Sequence, residues 1–315
     1  VASQAALGAG PVTLNHAYLG LYSLKPAFPA TTATYTNTLN VIGDSLLTDA
    51  SDVHPSSSTF HNSTASSLAV GTVNLGALLQ LQYRVDSFTI AELHPTADST
   101  LALVNPFTPV SISALTADTS PHALTFKGLG GHATFNITGP AADTGPIFVD
   151  NATLNFQGSV ASSSGAITLD NNSAVIGATI SRPLILDDAS LGNFNAGPIS
   201  TAALTLGDQS LLQFALNAPT DSANTLLHIT GNLILDGILS LQPGAGFAPG
   251  DYTLLTYTGS LTDNTLTLPG STPYALSLIT STPGLITLHV AAPVPEPASL
   301  SLLLLAAPLL LRRKR

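Results

Sequence analysis

Pro146-Ile-Phe-Val-Asp150, Ala166-Ile-Thr-Leu-Asp170, Pro183-Leu-Ile-Leu-Asp187 and Ala203-Leu-Thr-Leu-Gly207 are four versions of one line of sequence. Each opens on a small or rigid residue, runs apolar-x-apolar, and stops at Asp or Gly. Two earlier stretches, Pro11-Val-Thr-Leu-Asn15 and Thr72-Val-Asn-Leu-Gly76, repeat the pattern with Thr also at the start and Asn also at the stop. Alternation at period two marks a half-buried strand, and an Asn, Asp or Gly stop tolerates the left-handed backbone of a tight turn. The apolar residue before each stop falls at Val149, Leu169, Leu186 and Leu206, spacings of 20, 17 and 20. Periods near twenty residues are the repeat of a solenoid coil. The expected fold is therefore all-β, a parallel β-helix or closely related β-solenoid. A single coil buries too little to fold alone. Stacked coils merge their aliphatic residues into one column, at about 1.5–3 kcal/mol for each fully buried Val, Leu or Ile. The rival arrangement is an antiparallel sandwich of the same strands. The near-constant spacing favours the solenoid, where the rest of each coil supplies the crossover that parallel neighbours need.

Working outward, residues 1–209 read as the solenoid body. Two stretches within it, 23–65 and 86–122, are rich in Pro, Thr, Ser and Asp and read as long loops or irregular coils. Residues 210–292 carry the strand patterns Leu211–Leu216, Leu226–Ile229, Leu233–Leu241, Tyr252–Thr258 and Leu285–Val290. They read as a C-terminal β cap, since an open stack of coils leaves strand edges that must be covered.

The chain has 315 residues and no cysteine, which excludes disulfides and Cys-based metal or redox sites. Only 8% of residues are charged. Ahead of residue 293 there are four basic residues (Lys25, Arg84, Lys127, Arg182) against seventeen acidic ones, a balance of −13. That argues against nucleic acid and anionic membrane surfaces as partners. Met is absent even at position 1, and no basic-then-apolar leader precedes Pro11, so the start reads as trimmed or truncated.

No catalytic constellation stands out, and the expectation is a protein that is not an enzyme and has no cofactor or metal. A polysaccharide lyase or hydrolase would need clustered carboxylates. The best candidates are Asp187 and Asp188 with Asp170 one coil earlier and Arg182 between them; turn positions facing solvent explain the same residues. The histidines, among them His54, His61 and His94, show no metal-ligand spacing. Ser87 and Ser163-Ser164-Gly165 sit in no nucleophile elbow. Gly128-Leu-Gly-Gly131 lacks the Lys and helix of a phosphate cradle. The Asn-x-Ser/Thr matches at Asn62, Asn136, Asn151 and Asn171 are expected by chance in so Asn- and Thr-rich a chain. A glycan-binding surface would show an aromatic strip, for which Tyr18, Tyr22 and Tyr35 are the candidates.

The last twenty-three residues, PVPEPASLSLLLLAAPLLLRRKR, have a different grammar. Pro295 and Pro297 hold an extended elbow. Ala298–Leu311 carries no charge, with Leu300, Leu302, Leu303, Leu304, Leu305, Leu309, Leu310 and Leu311 as its apolar body. As a short hydrophobic helix it would reach about 21 Å, against about 30 Å for a hydrocarbon core. Arg312, Arg313, Lys314 and Arg315 form a basic stop that favours the cytoplasmic side. Val294-Pro295-Glu296-Pro297, the Leu-rich run and the basic end together resemble a PEP-CTERM sorting signal. The resemblance implies an exosortase, a membrane-embedded transpeptidase, as partner and transient contact with the inner membrane. It also implies cleavage near Pro-Glu-Pro and delivery to the cell surface or extracellular matrix of a Gram-negative-type bacterium, where extracellular polysaccharide is a candidate partner for the solenoid. Gly250-Asp-Tyr-Thr-Leu-Leu-Thr-Tyr-Thr-Gly-Ser-Leu261 resembles the closing segment of autotransporter-like β-helical passenger domains, which implies that it caps the solenoid. The function so implied is that of an exported structural protein. The alternatives are a polysaccharide-active or glycan-binding solenoid.

Overall fold

The computed structural model describes residues 7–21, 32–49, 67–83, 85, 87–104, 108–117, 120–142, 145–161, 165–177, 179–192, 199–221, 224, 227–270 and 273–292. The chain winds as a parallel β-helix with three faces. The first face stacks residues 67–70, 87–90, Val110–Ile112, Ala133–Ile137, Ala152–Phe156 and Ala174–Ile176 in parallel. The third stacks Leu78–Gln82, Ser99–Leu103, Leu124–Gly128, Ile147–Asp150 and Ile167–Asp170, then 183–186 and 203–206. Between them runs a narrower second face, reduced in places to the single bridges Leu93–Leu115, Leu115–Ala141 and Ala141–Val160.

The register is the one the repeat predicts. Val149 pairs with Leu169, Leu169 with Leu186 and Leu186 with Leu206. Along this rank, from Leu101 through Phe126 to Leu206, successive coils are 25, 23, 20, 17 and 20 residues long. Alternate residues of every such strand point inward and stack on the like residue of the next coil, so one continuous core fills the helix from Leu14 to Val290. Phe126 and Phe135, on different faces of one coil, meet inside it with ring centroids 5.0 Å apart.

The two stretches read as irregular need correction where they are described. Residues 86–122 hold the strands Ser87–Pro95, Ser99–Leu103 and Val110–Ile112, all in the stack. Within 23–65 lie Thr32–Tyr35, Leu39–Val41 and Ser45–Asp49; residues 22–31 and 50–66 fall outside the described part. The reason is a parity slip at the bend from first to second face. In Ser67–Leu75 the inward residues are Leu68 and Val70, then Val73 and Leu75, with Gly71 and Thr72 both turned out. Ser87–Pro95 repeats this with Phe88 and Ile90, then Leu93 and Pro95, around Ala91 and Glu92. A period-two reading sees two fragments too short to count as strands.

The corners explain the small residues. Farther along the same bend, successive coils approach closely. A side chain on Gly139 would place its Cβ 2.0 Å from the Ser113 carbonyl oxygen, and one on Gly158 would come 2.1 Å from that of Gly139. At the corner from third to first face, Asn151, Asn171, Asn172 and Asp188 take left-handed backbone with φ between 49° and 59°. Buried serines fasten this corner to the coil before. Ser173 Oγ donates to the Val149 carbonyl at 2.9 Å, and Ser210 Oγ to that of Leu186 at 2.8 Å.

Parallel pairing continues past residue 210, with Leu211–Leu216 on Ser190–Gly192 and Leu227–Ile229 on 199–201. Antiparallel pairing enters at the far end. Gly250–Tyr257 runs parallel to Leu227–Ile229 on one side and antiparallel to Leu285–Ala291 on the other, which in turn pairs with Ala275–Ile279. Phe247, Tyr252 and Tyr274 pack over this end of the core, with centroids 5.3 Å and 5.5 Å apart from ring to ring. Tyr252 is buried, and its hydroxyl accepts from the Ala248 N–H and sits 3.0 Å from the Asn217 carbonyl.

Candidate functional surface

The sequence candidates are scattered by the coil geometry rather than gathered into a cleft. Asp150 and Asp170 are register partners on neighbouring coils, and the Asp187 N–H donates to the Leu169 carbonyl, which carries the rank of carboxylates one coil further. Asp170, Asp187 and Asp188 are exposed at the corner. Arg182 is not among them. It has the same inward parity as Ile180, Leu184 and Leu186 and is completely buried. Its Nε donates to the Gly165 carbonyl at 2.9 Å and its Nη2 to that of Gly145. The expected grouping of Arg182 with the three carboxylates is thus corrected: parity turns the guanidinium into the core while the acids face solvent.

The cation that does meet the acidic rank is Lys127, the register partner of Asp150, with Nζ 2.5 Å from Oδ2. Asn171 Nδ2 donates to the other carboxylate oxygen at 2.7 Å. Partial burial pushes the Asp150 carboxyl up, but the bonds from Lys127 and Asn171 and the Lys127 charge outweigh it and hold the carboxyl below its ordinary value. A lowered value stabilises the fold above the unfolded pKa of about 3.9, and that contribution is lost as pH falls through the lower folded value. The pair is half-exposed, so the effect stays under about 1 kcal/mol. Lys127→Met is expected to cost that amount at pH 7 and progressively less at pH 3 and below, measured by urea unfolding.

Tyr35, expected on an aromatic strip, is in the core at 2% exposure. Tyr18 is 59% exposed on the first coils, and Tyr22 lies outside the described residues. With Tyr35 in the core, the two described tyrosines of the three do not share an outer face. Phe148 is 42% exposed on the third face, in an outward rank with Thr100, Thr125, Thr168, Ile185 and Thr205.

The other candidates serve the coils. Gly128 packs at a corner, where a Cβ would lie 2.3 Å from the Gly131 carbonyl oxygen. Asn155 Nδ2 donates to Asn136 Oδ1, and Asn151 Nδ2 to the Gly128 carbonyl. Asn171 holds Asp150 as described. His94 Nδ1 meets Thr116 Oγ1 at 3.0 Å, and Ser87 Oγ donates to Ser67 Oγ at 2.7 Å. His54, His61, Asn62, Ser163 and Ser164 lie outside the described residues, as does the whole of 293–315 with its Pro-Glu-Pro elbow, apolar run and basic stop. Among the described residues no three His, Asp or Glu side chains are grouped to hold a metal ion, and no helix is long and apolar enough to cross a membrane.

One concavity follows the bend between first and second faces. It crosses four coils and is lined by Thr36, Ala69, Gly71, Thr89, Glu92 and Ser113, among others. Its single carboxylate, Glu92, accepts from Thr72 Oγ1 at 3.1 Å. The groove exists because two consecutive residues turn outward at each bend and most of them are small. Among the described residues its lining is open and weakly polar, with one acid and no base.

The architecture defines this chain as a parallel β-helix. No family model matches it. It is similar to the protein described as Adhesin BmaC autotransporter of Brucella suis biovar 1 (strain 1330), at 37% identity over 91 residues, which is 26% of this chain and 3% of that protein. The chain therefore matches only a small part of that relative's length.

Proposed function

We propose that this chain is an exported surface protein whose β-helix is the delivered body and whose last twenty-three residues are the sorting signal. An exosortase-type transpeptidase at the inner membrane cuts near Pro295-Glu296-Pro297 and releases the body to the cell surface or the extracellular matrix. The observation that carries the reading is the continuous stack of coils, whose outer faces are ranks of Thr, Ser and Asn, together with the similarity to a protein described as an autotransporter adhesin. Such a body presents a long repetitive surface and draws its stability from within.

Two features support a binding role within that reading. The groove at the Gly71 and Ala91 bends offers small hydroxyl-bearing residues along an extended path, and the relative is itself described as an adhesin. Adhesion to an extracellular polysaccharide is the second reading. A lyase or hydrolase site at Asp170, Asp187 and Asp188 has no such support, because the one cation expected beside them is buried elsewhere.

The sorting half is tested by mass spectrometry of the C-terminus of the protein recovered from cells. The expected result is a new terminus within a few residues of Glu296 and a surface or extracellular location. Recovery of chains that still end in Arg315, from the cytosol, would contradict it.

A further inference from the structure

The antiparallel end of the β-helix brings together three residues that no spacing in the sequence connects. Asp251, on Gly250–Tyr257, is the register partner of His289 on Leu285–Ala291. His289 is in turn the register partner of Ser277 on Ala275–Ile279. The three form one row across three adjacent strands, all on the exposed side of the sheet. Residues directly opposite on antiparallel strands hold their Cβ atoms about 4.5–5.5 Å apart, so Asp251 and Ser277 flank His289 from the two neighbouring strands. His289 Nδ1 is 2.6 Å from Asp251 Oδ1. A carboxylate only accepts, so Nδ1 is the donor, and in the uncharged form of the ring the lone pair lies on Nε2. The residue on the other flank of that ring is a serine.

We propose that Ser277, His289 and Asp251 act as nucleophile, base and orienting acid toward carboxylic esters. The order of roles follows the chemistry: a serine hydroxyl needs an adjacent base, and the base needs a third group to fix its tautomer. Ser277 Oγ adds to the ester carbonyl carbon while its proton passes to His289 Nε2. The bond to the alcohol oxygen breaks, and that proton leaves on the alcohol. Water then repeats the sequence on the acyl-serine, losing a proton to His289 as it adds, and the carboxylic acid departs as Ser277 regains a proton. Among the described residues, Ala275–Ile279 is the last strand of its sheet, paired on one side only. Alternate N–H groups on its free side point outward beside Ser277 and supply donors for the carbonyl oxygen. The face has no walls, which suits acyl groups displayed on an extended polymer as well as small esters. Asp251 touches no substrate and is a positioning residue.

The full-length chain is treated with a fluorophosphonate probe and the modified serine located by peptide mapping. Here Ser277 Oγ bonds to phosphorus, fluoride leaves, and His289 takes the proton. Ser277 is expected to react at least tenfold faster than exposed Ser260. His289→Gln should slow it at least tenfold, Asp251→Asn should slow it as well, and Asp251→Glu should restore it. All three side chains are exposed, so these variants keep the fold, which far-UV circular dichroism checks. With p-nitrophenyl acetate the wild type should release a burst that Ser277→Ala lacks. Equal labelling of Ser277 and Ser260, or labelling of Ser277 unchanged by His289→Gln, would reduce the row to a plain cross-strand ion pair and overturn the proposal.

Discussion

Leu169→Asp is expected to unfold the middle of the β-helix, whereas Thr168→Asp, one residue earlier, is expected to leave it standing. Leu169 is fully buried and stacked between Val149 and Leu186. Loss of its side chain alone costs about 2–5 kcal/mol, and the carboxylate that replaces it has no buried cation among its register partners. The sum exceeds about 4 kcal/mol, a large part of the 5–15 kcal/mol that holds a typical domain together. Because each coil is stabilised mainly by its neighbours, the lesion also uncouples the coils on either side, and urea unfolding should split into two transitions. Thr168 points outward in the same strand, so its change should stay within about 0.5 kcal/mol. The contrast between adjacent positions is what a strand of period two requires.

Arg182→Ala is expected to cost about 3–5 kcal/mol, an effect out of proportion to one polar residue. The guanidinium reaches back to the carbonyls of Gly165 and Gly145, on the two preceding coils, and the Arg182 carbonyl accepts from Thr201 Oγ1 on the next at 2.8 Å. It is a strut through four consecutive coils. A hydrogen bond to a charged group contributes about 1.5–3 kcal/mol, and truncation leaves buried carbonyls without these donors. Arg182→Lys should recover little, since a single ammonium on a shorter reach does not reproduce two donors fixed in a plane. Urea midpoints at constant m-value measure it. An Arg182→Ala protein within about 0.5 kcal/mol of the wild type would mean that the strut does nothing.

The repeat was legible because Val149, Leu169, Leu186 and Leu206 stand at strand ends marked by Asp or Gly, and those signals survive without any tertiary context. The strands of 86–122 were not, since the slip at Ala91 and Glu92 breaks the alternation and Pro95 looks like a terminator, though it packs inward at the end of its strand. Arg182 carried a usable signal: its parity with Leu184 and Leu186 already turned it inward, against the habit of placing charges outside. Tyr35 illustrates the reverse error, an aromatic assigned to the surface that the core of the early coils absorbs. Nothing in the sequence could have joined Asp251, Ser277 and His289, because their proximity depends on a strand order in which Leu285–Ala291 inserts between two elements that precede it.

The chain rises by one strand spacing per coil, and a ladder of spin-label distances measures that rise. Thr100, Thr125, Phe148, Thr168, Ile185, Thr205, Ile234 and Thr262 are successive register partners on the outward side of the third face. The chain has no cysteine, so nitroxides can be placed at Thr100→Cys and at any one of the others. At a strand spacing of about 4.8 Å, the separation from position 100 should grow to about 14 Å at 168, about 24 Å at 205 and about 34 Å at 262. Distances that rise steadily with coil number are the predicted result; a label at 205 or 262 lying closer to position 100 than the label at 168 would contradict the stack.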